Sequence, residues 1–180
     1  LKLKALSAED YEQVRQWRNE CLPALRTPFL LTAEQQEQFY REVVCSRQAN
    51  ARYWGVWNAD LLIGMAGLEG IQWENRLAEI SLLLNPEYPM DKYGEEALKL
   101  LLHEGFMNLN LENIFTEVYA CSPAFDFWLD IAEEYDCSTA ILPGRKYHGG
   151  YYWDSLYINF EREDFSEYEN LILEPAQAVN

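Results

Sequence analysis

The chain has 180 residues, nearly half of them apolar and 14% aromatic, a composition that suits one folded domain with a sizeable core. Its 14 basic against 30 acidic residues give a formal net charge of −16, which opposes DNA or RNA binding, since nucleic-acid binders need cations to displace condensed counterions. No apolar run is long enough to cross a bilayer and no basic-then-apolar leader opens the chain, so a cytoplasmic protein without a membrane partner is expected.

In chain order, the alternation over residues 1–6 predicts a half-buried strand. Ser7, three residues before Asp10, is a capping-box pattern that starts a helix running to about Glu20. Pro23 and Pro28 mark a loop that carries Arg26 and Thr27. Thr32 and Gln35 repeat the capping pattern, and Phe39, Tyr40, Val43 and Val44 form the apolar face of a second helix. Residues 53–57 and 61–68 read as hairpin strands around Asn58-Ala59-Asp60. After a polar loop holding Trp73 and Glu74, Leu77–Leu84 is a nearly continuous apolar run, the pattern of a central strand buried on both faces. Residues 85–92 form a loop, and 93–107 a helix with apolar residues at helical spacing. A strand over 114–120, a short helix from Pro123, an extra strand near 139–142 and a late strand over 151–160 complete the order. It predicts a single α/β domain over residues 1–165, with a mixed central sheet and helices on both faces, and an acidic tail over 166–180.

The four cysteines show no C-x-x-C spacing and the two histidines lie far apart, so no metal site is expected and the thiols read as small core residues. The acidic surface either favours cationic partners, such as amines and basic peptides, or serves solubility alone. The stretch with chemical content is residues 77–98, LAEISLLLNPEYPMDKYGEEAL. It takes a buried strand through a loop into a helix N-terminus, where unpartnered N–H groups and the helix dipole attract anions.

With the order of elements around it, this stretch resembles the GNAT superfamily of acyl-CoA N-acyltransferases, and within it the branch of ribosomal-protein N-terminal acetyltransferases. Arg76-Leu77-Ala78-Glu79-Ile80 resembles the family's strand before the phosphate loop, and Asn85-Pro86-Glu87-Tyr88 its approach. Gly94-Glu95-Glu96-Ala97-Leu98 resembles the start of the long helix, and Ser122-Pro123-Ala124 with Phe127-Trp128 the later helix. The resemblance spans roughly residues 3–160. It implies transfer of an acetyl group from acetyl-CoA to a primary amine of a small molecule or protein, without a metal.

On that resemblance Leu82, Leu83 and Leu84 of a bulged strand, then Asp91, Lys92, Tyr93 and Gly94, then Ser122 and Trp128, hold the CoA, a backbone N–H of the bulged strand facing the thioester carbonyl. Two positions depart from the family's loop: Pro89 replaces an Arg or Gln, and Lys92 replaces a glycine. Trp128 stands where many members carry a tyrosine acid, which leaves Tyr119, Tyr147 and Tyr152 as substitutes. Glu79 either deprotonates the attacking amine, its pKa raised by an apolar run, or pairs with Arg76 or caps a sheet edge. Arg26, Thr27, Trp73, Tyr147 and Tyr152 either line the acceptor pocket or form ordinary turns and a hairpin tip. A second functional reading follows from the altered loop: a binding or regulatory protein on the same scaffold that has lost CoA. The aromatic strand over 151–160 offers a surface for a homodimer, by pairing or packing.

Overall fold

The computed structural model describes residues 1–27 and 29–168, so most of the predicted tail lies outside the described residues. Among the described residues, seven strands form one sheet in the order β1-β2-β3-β4-β5-β7-β6. They are β1 (Lys2–Lys4), β2 (Arg52–Asn58), β3 (Leu61–Gln72), β4 (Leu77–Leu84), β5 (Asn113–Tyr119), β6 (Ser138–His148) and β7 (Tyr151–Glu161). The β4–β5 pair is parallel and the other pairs are antiparallel.

Two helices at the start of the chain, α1 (Ala8–Glu20) and α2 (Ala33–Phe39), begin on the predicted capping boxes: the Ser7 and Thr32 hydroxyls accept from the third helical N–H, and Asp10 and Gln35 reach back. Helix α3 (Met90–His103) starts three residues earlier than the apolar spacing suggests. Pro89 precedes its first turn, where its fixed φ suits helix entry and its missing N–H removes no intrahelical bond. A wider turn over Glu104–Asn108 then extends the helix. The later helices are α4 (Phe125–Glu134) and α5 (Arg162–Tyr168).

The alternation of the strands, reset at Ile63 where β3 slips one residue against β2, divides the apolar residues between two cores. Ile63, Ala66 and Leu68 of β3, with Ile80 and Leu84 of β4, join Leu98, Leu101 and Phe106 and Ile131 of α4 in the main core. Leu62 and Met65 instead meet Tyr11, Trp17 and Phe39 beneath α1 and α2. Gly105 lets the α3 extension lie directly on β5, because a Cβ there would come 2.3 Å from Ile114 Cδ1 and 3.1 Å from Leu68 Cδ1. Gly105→Val should therefore overpack the core and cost about 1–3 kcal/mol. The urea midpoint checks this, and an unchanged midpoint would mean that the helix shifts freely over β5.

Of the two readings of Tyr147 and Tyr152, the hairpin tip is the one observed, at the end of a long hairpin. Tyr147 pairs with Tyr152 across the two-residue turn Gly149-Gly150, whose φ values of +62° and +87° only glycine adopts without strain. The extra strand near 139–142 is correspondingly longer, running to His148. This changes one expectation. Strand β7 has β5 on one side and β6 on the other, so it has no free edge with which to pair across a dimer.

Candidate active site

Strands β4 and β5 pair only from Leu77↔Asn113 to Glu79↔Phe115, although both run on past that point. Beyond it they separate, and a cleft of about 1010 Å³ opens between them. The cleft is closed on one side by α1, α2 and the loop carrying Arg26. Glu79 stands where the strands part, and its carboxylate accepts from Arg26 through Nη1 at 3.3 Å and through Nη2. Arg26 Nη2 also lies 3.8 Å from Glu117 on β5, so one guanidinium spans the gap between the two strands.

The carboxylates share a face for a simple reason. Glu79 is in register with Phe115, and Glu117 lies two residues further along β5, so both point to the α1/α2 side. Glu69 of β3 is directly opposite Glu79 and adds a third carboxylate to that face. Each is separately held. Arg145 Nε donates to Glu117 at 2.8 Å and Ser155 Oγ at 2.7 Å, while Tyr53 donates to Glu69 at 2.8 Å. The Arg145 hydrogen bond, helped by Ser155 and the charge of Arg26, keeps Glu117 below the usual carboxylate range. The hydrogen bond from Arg26 to Glu79, with a smaller contribution from Tyr119, keeps the guanidinium firmly protonated.

The Arg26 loop is pinned from below. Lys146 of β6, only 5% exposed, donates to the carbonyl of Leu25 and lies 3.5 Å from that of Arg26. Its ammonium also sits 5.4 Å from the ring centre of Tyr119, a buried residue that lines the cleft. Tyr119 is thus the one of the three substitute acids that reaches the cleft; Tyr147 and Tyr152 are outside it.

The β4 edge facing the cleft presents backbone donors. Asn85 N–H bonds to Ile63 of β3, and β4 pairs with β3 in unbroken register from Glu79 to Leu84. Alternation then turns the N–H groups of Ile80, Leu82 and Leu84 towards the cleft. The bulge expected around Leu82–Leu84 is absent; the register slips instead between Glu69 and Gln72 on β3, where Gly70 takes a φ of +56°.

Several predicted residues come together here: Arg26, Thr27, Glu79, Leu82, Leu83, Leu84, Ser122 and Trp128 all line the cleft. Asp91, Lys92, Tyr93 and Gly94 do not; the lining ends at Pro89 and Met90. Lys92 folds back over the ring of Tyr93 at 5.0 Å. Gly94 is buried against α4, since a Cβ there would lie 2.9 Å from the Phe127 ring and 2.6 Å from the Met90 sulfur. Trp73 packs under Arg52 at 5.7 Å, and Tyr147 and Tyr152 sit exposed at the hairpin tip, all three away from the cleft. Arg76 does not pair with Glu79: it reaches Glu112 at 2.6 Å and Asn110 at 2.7 Å. Nor does Glu79 cap an edge, because β4 is a central strand, and its carboxylate meets a cation rather than an apolar wall. Sequence reading missed Glu69 and Glu117. Each is the lone carboxylate of its strand.

Residues 1–121, two thirds of the chain, fit the family model described as an acetyltransferase (GNAT) domain. The chain belongs to the GNAT acetyltransferase family. Its family makes it an acetyltransferase, with acetyl-CoA as the acetyl donor. Among solved structures, spermidine N-acetyltransferase from Vibrio cholerae in complex with CoA and spermine superposes with a TM-score of 0.81 at 20% identity, over 92% of this GNAT chain and 97% of that one. A phenylalanine-to-alanine mutant of the same enzyme gives 0.80 at 20% identity, over 94% and 99%. At such identity the likeness is one of fold. No curated protein matches the chain in sequence.

Proposed function

We propose that this GNAT protein acetylates a primary amine of a small cationic molecule, with Glu79 as the base and the Glu69–Glu79–Glu117 face as the amine's seat. The observation that carries the reading is the placement of Glu79 at the point where β4 and β5 part, flanked by two further carboxylates. An ammonium entering there meets negative charge on three strands. It must lose a proton before its nitrogen can attack, and a carboxylate within hydrogen-bond reach is the group to take it. The spermine complex of the Vibrio cholerae enzyme is consistent with an amine of this class.

The residues fit the acyl donor at one end of the cleft better than at the other. Acetyl-CoA supplies a thioester carbonyl open to attack by an amine. Its extended, amide-bearing arm suits the unpaired edge of β4, where the N–H groups of Leu82 and Leu84 can bond to it. A donor of that kind also stabilises negative charge gathering on a carbonyl oxygen. Tyr119, at the cleft wall beside Arg26, is the residue to return a proton to the departing sulfur. At the phosphate end, the first turn of α3 keeps its dipole, but Pro89 contributes no N–H and Asp91 adds a negative charge.

Thiol release from acetyl-CoA, followed with spermidine, a monoamine and a Lys-rich peptide, tests the reading. Release that depends on an added amine, greatest with spermidine, is expected. Acetyl-CoA binding without release for any amine would overturn it in favour of a binding protein on the same scaffold.

A further inference from the structure

We propose that Arg26 is a built-in competitor of the acceptor: its guanidinium occupies the ammonium seat between Glu79 and Glu117 and must be displaced before an amine can reach the base. The inference rests on the reading of the cleft as the acceptor site. It concerns what already fills that seat. An ammonium bound between Glu79 and Glu117 would need the positions that Arg26 Nη1 and Nη2 now take. While the guanidinium holds Glu79, the carboxylate is a hydrogen-bonded anion with no amine proton to accept.

The parts that surround the guanidinium are held by contacts that do not depend on it. Glu117 keeps Arg145 and Ser155 as partners whether or not Arg26 is present. Glu79 sits on a central strand paired on both sides. The backbone at Leu25 and Arg26 is tethered by the buried Lys146. The Arg26 side chain is 61% exposed, so once an incoming cation takes its place on Glu79 and Glu117 the guanidinium can rotate towards solvent on that anchored backbone. Displacement therefore requires a side-chain rotation and no loop opening.

Two consequences for acceptor choice follow from charge. A tethered guanidinium competes at a high effective concentration, which a single ammonium in free solution matches poorly. An acceptor with several cationic groups can replace it on Glu79 while engaging Glu117 or Glu69 as well. Arg26 thus raises the threshold for monoamines more than for polyamines, and specificity is set partly by an internal competitor.

Calorimetric titration of spermidine and of butylamine into the CoA-loaded protein, with Arg26→Gln and Arg26→Lys beside the native chain, decides the matter. Arg26→Gln should tighten both amines by about tenfold, butylamine more than spermidine, and narrow the preference between them. Arg26→Lys, which keeps a competing cation, should stay near the native values. Unchanged or weaker amine binding by Arg26→Gln overturns the proposal and makes Arg26 a support of the site. A failure of every variant to bind either amine is a different result: it overturns the acceptor reading itself, and the competitor with it.

Discussion

Glu79→Gln should lower kcat/KM for the best amine by about 10²–10⁴-fold, the range that a positioned general base contributes. The amide keeps the size of the side chain and one acceptor for Arg26, so acetyl-CoA affinity and the thermal midpoint should move little. The loss should fall on kcat, because it removes the group that accepts the amine proton and leaves the seat for the amine largely in place. Glu117→Gln is the control. Glu117 already gives its oxygens to Arg145 and Ser155 and is held in its charged form, which makes it a poor proton acceptor. It should weaken amine binding and leave kcat within severalfold. If Glu117→Gln removes turnover and Glu79→Gln spares it, the two roles are exchanged and the base is on β5.

Restoring the family's phosphate loop should raise acetyl-CoA affinity. The variant Pro89→Arg with Lys92→Gly returns one backbone N–H and one guanidinium at the α3 N-terminus, and removes the side chain that folds over Tyr93. Hydrogen bonds to a charged group contribute about 1.5–3 kcal/mol each, so a ten- to hundredfold tightening is expected by calorimetry. Gly94 needs no change, since its place against Phe127 is already the packing that brings α3 onto α4. The gain should shrink in high salt, as a contact between a guanidinium and phosphate does. An affinity that stays the same would mean that the donor is held through its arm on the β4 edge, and that the loop is not part of the binding site.

Much of the scaffold was legible locally. Capping boxes at Ser7 and Thr32, the nearly continuous apolar run of β4 and the helical spacing of α3 each follow from chemistry within a few residues. Glu79 was singled out by the resemblance of residues 76–80 to the family's strand. For Tyr147 and Tyr152 the hairpin tip was one of two readings, left open because adjacent glycines signal a turn without saying how close to it the strands run.

The site itself depends on distance along the chain. Arg26 and Glu79 are 53 positions apart, Arg145 and Glu117 are 28 apart, and Lys146 and Leu25 are 121 apart. Such pairs leave no periodic trace, and net charge does not reveal that a cation has been placed on the base. The same holds for β4 and β5, since nothing in either strand states that pairing stops at Glu79↔Phe115. The sequence by itself determined helices α1 to α4 and the central strand that carries Glu79, because capping and hydrophobic periodicity act between near neighbours. Only the tertiary structure decided where the strands part, which carboxylates share a face and which guanidinium holds them, because those follow from register and packing between segments remote in the chain.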